Sequence, residues 1–203
     1  VTARLGDGPV AAADVATEVT RRTLRVLSYE ARPSWAATFV RRSLEEDPRF
    51  EVVVRSMTSR GVAADAGVPP ATLDRAEDLA DFDLIVVSTP DALGDRAVAA
   101  LENYLRTREG AVVLLPGEAG SSVASRLTGV TNWTVDRRPA LTTVEASVGS
   151  WTASEFLWPS AWPAGAEALT GCLSPSRCAV WRTPVGGGRV IVSSALDGWR
   201  TRG

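Results

Sequence analysis

The residues able to do chemistry in this chain are carboxylates, hydroxyls, arginines and backbone amides. It has no histidine, and each of its 22 basic residues is an arginine. Schiff-base chemistry and a phosphate-binding Walker lysine are therefore excluded, as is the usual general base. Three acids fall just past apolar runs: Glu30, Glu118 and Asp197. Two carboxylates about 5–10 Å apart could hydrolyse a glycosidic bond; carboxylates at such positions also serve as helix caps and ion-pair partners. In Glu30-Ala-Arg-Pro-Ser-Trp35, Arg32 could grip an oxyanion at two points, with Trp35 as a flat wall. Alternatively, Trp35 opens a core-facing helix stripe and Arg32 pairs with Glu30 or Asp91. The stretch Ala111-Val-Val-Leu-Leu-Pro-Gly-Glu-Ala-Gly120 reads as a buried strand entering a sharp turn. Backbone N–H groups from Gly117 onward could face an anion, although Glu118 opposes that. The turn could equally need glycine for steric reasons alone.

These residues need a scaffold, and the spacing of apolar residues supplies one. Leu24–Tyr29, Phe50–Arg55, Leu84–Ser88 and Val112–Leu115 are predicted strands, the last two continuously apolar as strands covered on both faces should be. Between the first pair, Trp35, Ala36, Phe39, Val40 and Leu44 recur at helical spacing, with Pro33 in the expected first turn. Ala97, Val98, Leu101, Tyr104 and Leu105 stripe a second helix, with Gly110 as its expected stop. Strand–helix–strand repeated implies right-handed crossovers and a mainly parallel sheet. The expected fold is α/β: a Rossmann- or flavodoxin-like three-layer sandwich, with its parallel core over 23–127. The strand corners would then share the carboxyl edge, where such folds bind ligands. Residues 58–80 read as a long connection.

The C-terminal half differs. Ala179–Val185, Gly186-Gly-Gly188 and Arg189–Ser193 predict a hairpin, and antiparallel strands from 128–203 should complete the sheet. Trp158 and Trp162, in a tryptophan-rich stretch, could form an exposed contact surface or pack an irregular segment. Cys172 and Cys178 are six apart; a disulfide would indicate an oxidising compartment, whereas two buried free thiols would suit a reducing one.

Composition sets the outer limits. With 45% apolar and 23% charged residues, the chain is an ordinary globule. A net charge of −2 argues against nucleic acid as a partner. No run approaches the roughly 18 apolar residues of a membrane span. Residues 1–22 read as a linker or edge strand, residues 23–203 as one domain, and the whole as a piece of a longer protein.

Several blocks together carry a family resemblance: Arg25-Val-Leu-Ser-Tyr-Glu-Ala-Arg-Pro-Ser-Trp35 continuing to Phe50, Asp81-Phe-Asp-Leu-Ile-Val-Val-Ser88, and Gly187-Gly-Arg-Val-Ile-Val-Ser-Ser-Ala-Leu-Asp-Gly-Trp-Arg200. In order and spacing they resemble the class I glutamine amidotransferase-like domains of large bacterial membrane proteins that also carry von Willebrand factor A domains. The likeness spans 23–120 and 186–200. It implies a cysteine at the elbow and a histidine and glutamate just beyond a late strand. Here those positions read Gly117-Glu118 and Ser193-Ser-Ala-Leu-Asp197. Without thiolate or imidazole, glutamine hydrolysis by that route is excluded. The resemblance thus implies a non-catalytic domain without cofactor or metal, contacting other domains of a membrane-anchored protein or a separate protein partner, or sensing a ligand. An extracytoplasmic location is favoured. The alternative is a carboxylate-based hydrolase of a sugar or another polar substrate.

Overall fold

The computed structural model describes residues 22–59, 62–117, 122–146 and 149–198. Apart from Arg22, the expected N-terminal linker lies outside them. From the first strand to the last parallel crossover helix the order is β1 (Leu24–Glu30), α1 (Trp35–Glu45), β2 (Phe50–Ser59), β3 (Val62–Ala66), α2 (Ala76–Leu79), β4 (Leu84–Ser88), α3 (Asp95–Thr107), β5 (Ala111–Leu115) and α4 (Ser122–Thr128). The remainder is all strand. β6 (Trp133–Ala146) and β7 (Gly149–Pro159) form a ribbon, followed by β8 (Glu167–Ala168), β9 (Cys172–Ser174), β10 (Arg177–Cys178), β11 (Val180–Val185) and β12 (Gly188–Ser193).

The main sheet has eight strands in the order β3-β2-β1-β4-β5-β12-β11-β8. β2, β1, β4, β5 and β12 run parallel, and antiparallel partners close both sides. The expected α/β sandwich with a mainly parallel layer is what forms. The alternation of side chains along each strand builds its two faces. Val26, Val86 and Leu115 join Ala37 of α1 in one cluster, while their neighbours Leu27, Ile85, Val87 and Leu114 join α3 and α4 residues in the other. Continuous apolar runs were required because helices cover both sides.

The long connection expected over 58–80 is not one. β3 turns back on β2, held by paired hydrogen bonds from Arg55 to Asp65, and α2 follows. Short, small-residue β3 is largely exposed and lacks the apolar alternation that marks a half-buried strand. At α1, Ser34 rather than the Pro33 turn starts the helix: its Oγ accepts from the Ala37 N–H at 3.1 Å. The predicted hairpin is present as β11–β12, turning at Gly186 with φ 61°, although β12 itself runs parallel to β5.

Gly110, expected as a helix stop, has a different role. A Cβ there would lie 2.1 Å from the Tyr104 Oη, so glycine lets the α3–β5 turn close over the ring. Tyr104 is fully buried and donates to the Phe82 carbonyl at 2.8 Å. Burial, with the charge of Asp83 nearby, pushes its phenol up to about 12. In the unfolded chain it ionises near 10. The stability this residue gives is therefore complete below about pH 10 and is lost as pH climbs toward 12. Tyr104→Phe leaves the Phe82 carbonyl without that donor and should cost about 1 kcal/mol at neutral pH. The difference in Tm between variant and parent should shrink between pH 9 and 11.5. Tyr29, the other tyrosine, titrates in both proteins and cancels. Thermal unfolding monitored across that range checks this, and a constant difference would count against it.

Candidate functional site

The chain passes from β1 to β2 on one side and then to β4 on the other, so the strand order reverses between β1 and β4. Such a reversal opens a crevice at the carboxyl ends of the strands. A cleft of about 300 Å³ lies there, lined by Ser34 and Trp35 after β1, Ser88 and Thr89 after β4, Pro116 and Gly117 after β5, and Glu155, Leu196 and Asp197. Its floor is a relay of hydroxyls: Ser34 Oγ lies 2.9 Å from Ser88 Oγ, which lies 3.4 Å from Thr89 Oγ1. Thr89 has φ 53° and ψ 58°, the one left-handed non-glycine among the described residues. That conformation costs about 1–3 kcal/mol and persists only where neighbours enforce it; here the Thr89 N–H is held by the Leu115 carbonyl at 3.1 Å.

Asp197 forms one wall and is 3% exposed. Its carboxylate accepts from the Ser154 N–H at 3.0 and 3.2 Å, from Ser154 Oγ at 2.6 Å and from the Glu155 N–H at 3.0 Å. Both oxygens are thus engaged by β7. The same segment adds Leu157 N–H to Ser194 carbonyl at 2.7 Å and Leu196 N–H to Glu155 carbonyl at 2.9 Å. The tail of β12 is stitched to the ribbon.

The other expected site residues separate. Glu30 is 4% exposed but does not line the cleft: it accepts from Ser56 Oγ at 3.0 Å and faces the Arg41 guanidinium at 3.4 Å. Removal of Arg41 would leave the Glu30 carboxylate buried without its counter-ion, whereas Arg41 would keep Glu45 at 3.3 Å. Because Glu30 is taken by Arg41, it is not the partner of Arg32, which is exposed and outside the cleft lining. Trp35 does not open a core stripe; as the first residue of α1 it stands at the cleft mouth, 64% exposed, while Ala37, Val40 and Leu44 face the sheet. Gly117 lines the cleft, and Glu118 lies outside the described residues. The trio Glu30, Glu118 and Asp197 therefore does not form one carboxylate site among the described residues. Glu155 and the Ser34–Ser88 pair, which sequence reasoning missed, line the cleft instead.

Trp158 and Trp162 are packing groups. Trp158 is 2% exposed and stacks on Phe156 at 4.8 Å, so it offers no outward contact surface. Trp162 is half-buried 5.4 Å from Trp181 and donates to the Ala166 carbonyl at 3.1 Å. Large rings at irregular spacing are how this loop-rich half buries enough area to hold its shape. Cys172 and Cys178 are joined in a disulfide across the β9–β10 hairpin, and neither lines the cleft.

No family model and no curated protein matches the chain. Solved structures do. "Cytoplasmic Protein STM1381" from Salmonella typhimurium LT2 aligns with a TM-score of 0.58 at 11% identity, over 85% of this chain and 88% of that one. A ThuA-like protein from Bacteroides uniformis aligns with a TM-score of 0.54 at 14% identity, over 92% and 88%. The fold is amidotransferase-like. An exo-β-1,4-mannosidase, Op5Man5 from an Opitutaceae bacterium, also aligns (TM-score 0.51, 16% identity), over 86% of this chain and 31% of its own. This chain thus spans under a third of the mannosidase's length.

Asp197→Ala removes the acceptor of two buried N–H groups and a hydroxyl. It should cost about 2–3 kcal/mol, a Tm loss of roughly 5–10 °C for a domain of this size. Asp197→Asn, which keeps an acceptor, should lose less. Thermal unfolding of the pair at neutral pH decides; an unchanged Tm for the alanine variant would deny the tether its role.

Proposed function

We propose that this is a non-catalytic amidotransferase-like domain of a larger, membrane-anchored bacterial protein, in which it makes protein–protein contacts or senses a ligand at its carboxyl-edge cleft. The observation that carries this reading is the state of Asp197. This acid in the cleft wall has both oxygens engaged by Ser154 and Glu155 of β7, so it is not free to attack a bond. The hydroxyls on the floor bond to each other, and among the described residues neither Ser34 nor Ser88 bonds to a carboxylate. The membrane-protein setting is supported by the sequence resemblance to domains that accompany von Willebrand factor A modules. Among the described residues no helix is long and apolar enough to cross a bilayer, so an anchor would belong to another part of such a protein.

The rival, carboxylate-based hydrolysis of a sugar, draws on Glu155 and Asp197 lining one cleft beside Trp35. It is weaker because a general acid needs an available proton, whereas both Asp197 oxygens already accept hydrogen bonds from Ser154 and Glu155. The likeness to a mannosidase is a likeness of fold and does not say which part of that enzyme cuts its substrate.

The purified chain should release no ammonia from glutamine and no nitrophenol from a panel of nitrophenyl glycosides at rates above buffer. Turnover in either assay, abolished by Asp197→Asn, would overturn the proposal. Its full-length gene product should sediment with membranes after cell fractionation.

A further inference from the structure

A second concave site lies on the β6–β7 ribbon and belongs to no part of the cleft. Arg137 pairs with Glu155 and Thr142 pairs with Ala153, so β6 spends five steps where β7 spends two. Residues 138–141 are thrown out as a wide bulge that includes Pro139, which cannot donate to a ladder. Between this bulge and β10 is a shallow, open depression of about 470 Å³, with Asp136, Arg137, Arg138, Leu141, Thr142 and Arg177 in its lining.

The charges there are unequal. Arg138 and Arg177 both face the Oδ2 atom of Asp136, at 3.3 and 3.8 Å. The Trp158 indole N–H donates to that same oxygen at 3.2 Å. The indole bond first, and then the guanidiniums, hold the Asp136 carboxyl below its ordinary range. Arg138 and Arg177 share this one carboxylate and Arg137 adds a third guanidinium, so the lining carries a positive excess. Arg138 is steadied over the Phe156 ring at 5.7 Å and bonds Thr142 Oγ1 at 3.3 Å. Arg177 is different: its side chain is 49% exposed, and the ion pair to Asp136 is too long to spend a donor. It sits next to Cys178, so the disulfide to Cys172 fixes the strand that presents it. Leu141, 59% exposed, gives the site an apolar wall.

We propose that this depression binds a small organic oxyanion, a carboxylate or phosphate attached to an apolar group. The planar fork of Arg177, backed by Arg138, takes the oxyanion at two points. The apolar part of the ligand lies on Leu141. Asp136 is the internal strut that keeps two guanidiniums close enough to share one ligand, and the positive excess rules out a cation. The proposal stands independently of the reading of the carboxyl-edge cleft.

The test is a titration of the full, disulfide-bonded chain with sodium hexanoate and, separately, inorganic phosphate, followed by two-dimensional NMR of indole and arginine N–H groups. Sodium chloride holds ionic strength constant. Saturable shifts of the Trp158 indole and Arg138 Nε signals are expected, and the tighter of the two probes assigns the head group. Arg177→Gln, at an exposed position, should leave Tm unchanged and weaken binding about tenfold or more. Reduction of the disulfide should weaken it as well. Shifts that grow linearly with salt, that chloride reproduces, or that Arg177→Gln leaves intact would overturn the assignment.

Discussion

The clasp between the end of β12 and strand β7 is the constraint on which the rest of the molecule depends. The main sheet would fold from local strand–helix–strand units, and α4 holds the start of the ribbon, where Ser125 accepts from the Trp133 indole at 2.8 Å; where β7 lies is a separate matter. Asp197, Ser194 and Leu196 decide it through a short run of hydrogen bonds to Ser154, Glu155 and Leu157. Hydrogen bonds to a buried charge are among the stronger ones a fold can make. Once β7 is fixed, Phe156 and Trp158 close a small second core with Val144, Ala153 and Ala179. The same clasp brings Glu155 into the wall of the cleft. The Asp136 strut is set by register as well, since Asp136 pairs with Phe156 and Trp158 holds its carboxylate. Both concave sites thus inherit their shape from one tether.

The parts of this fold that the sequence made legible are those whose apolar pattern is enforced by burial. Ile85-Val-Val87 and Val112 through Leu115 announce themselves because helices cover both faces of their strands. The α3 stripe and the glycine-turned β11–β12 hairpin are legible for similar local reasons. β3 was hidden because an exposed edge strand of small residues has no buried face to write into its sequence. The β6–β7 ribbon was hidden because its bulge interrupts the alternation at Pro139. The two ends of that ribbon therefore look like separate fragments.

The site was half legible. That Gly117 and Asp197 meet near a reversal of strand order follows from topology and could be anticipated. That Glu30 would be drawn away by Arg41 could not, since the pairing depends on how α1 rotates over β1 and β2. Trp35 was misassigned to the core stripe for a related reason: one residue at the first turn of a helix projects past the edge of the sheet it packs on, whatever the periodicity says. The partners of Asp197 lie more than forty residues away and are mostly backbone amides, which carry no signature in the sequence.

A cleft at the carboxyl edge is a product of chain topology, and its presence by itself says nothing about chemistry. Strand reversal between β1 and β4 opens the space whether or not a nucleophile is placed there. What distinguishes a reactive edge from an inert one is whether its polar groups have unspent hydrogen-bonding capacity and displaced pKa values. Here the hydroxyls of Ser34 and Ser88 bond to each other and Asp197 is engaged by the ribbon, while Glu155 also lines the cleft. The strained Thr89 fits the same account: its N–H is captured by the Leu115 carbonyl where β4 turns sharply into Pro90, so the left-handed backbone serves the turn. On the proposed reading, the atoms that a catalytic relative would leave free for substrate have been turned inward to hold the two halves of the domain together. By contrast, Arg177 of β10, whose ion pair to Asp136 is long, lies beside the bulge of the ribbon and outside this cleft. Unpaired atoms also survive at the carboxyl end of β1, where Glu30 Oε1 and Arg41 Nε are buried 3.4 Å apart without a hydrogen bond, so polar capacity is kept both beside this edge and at the bulge.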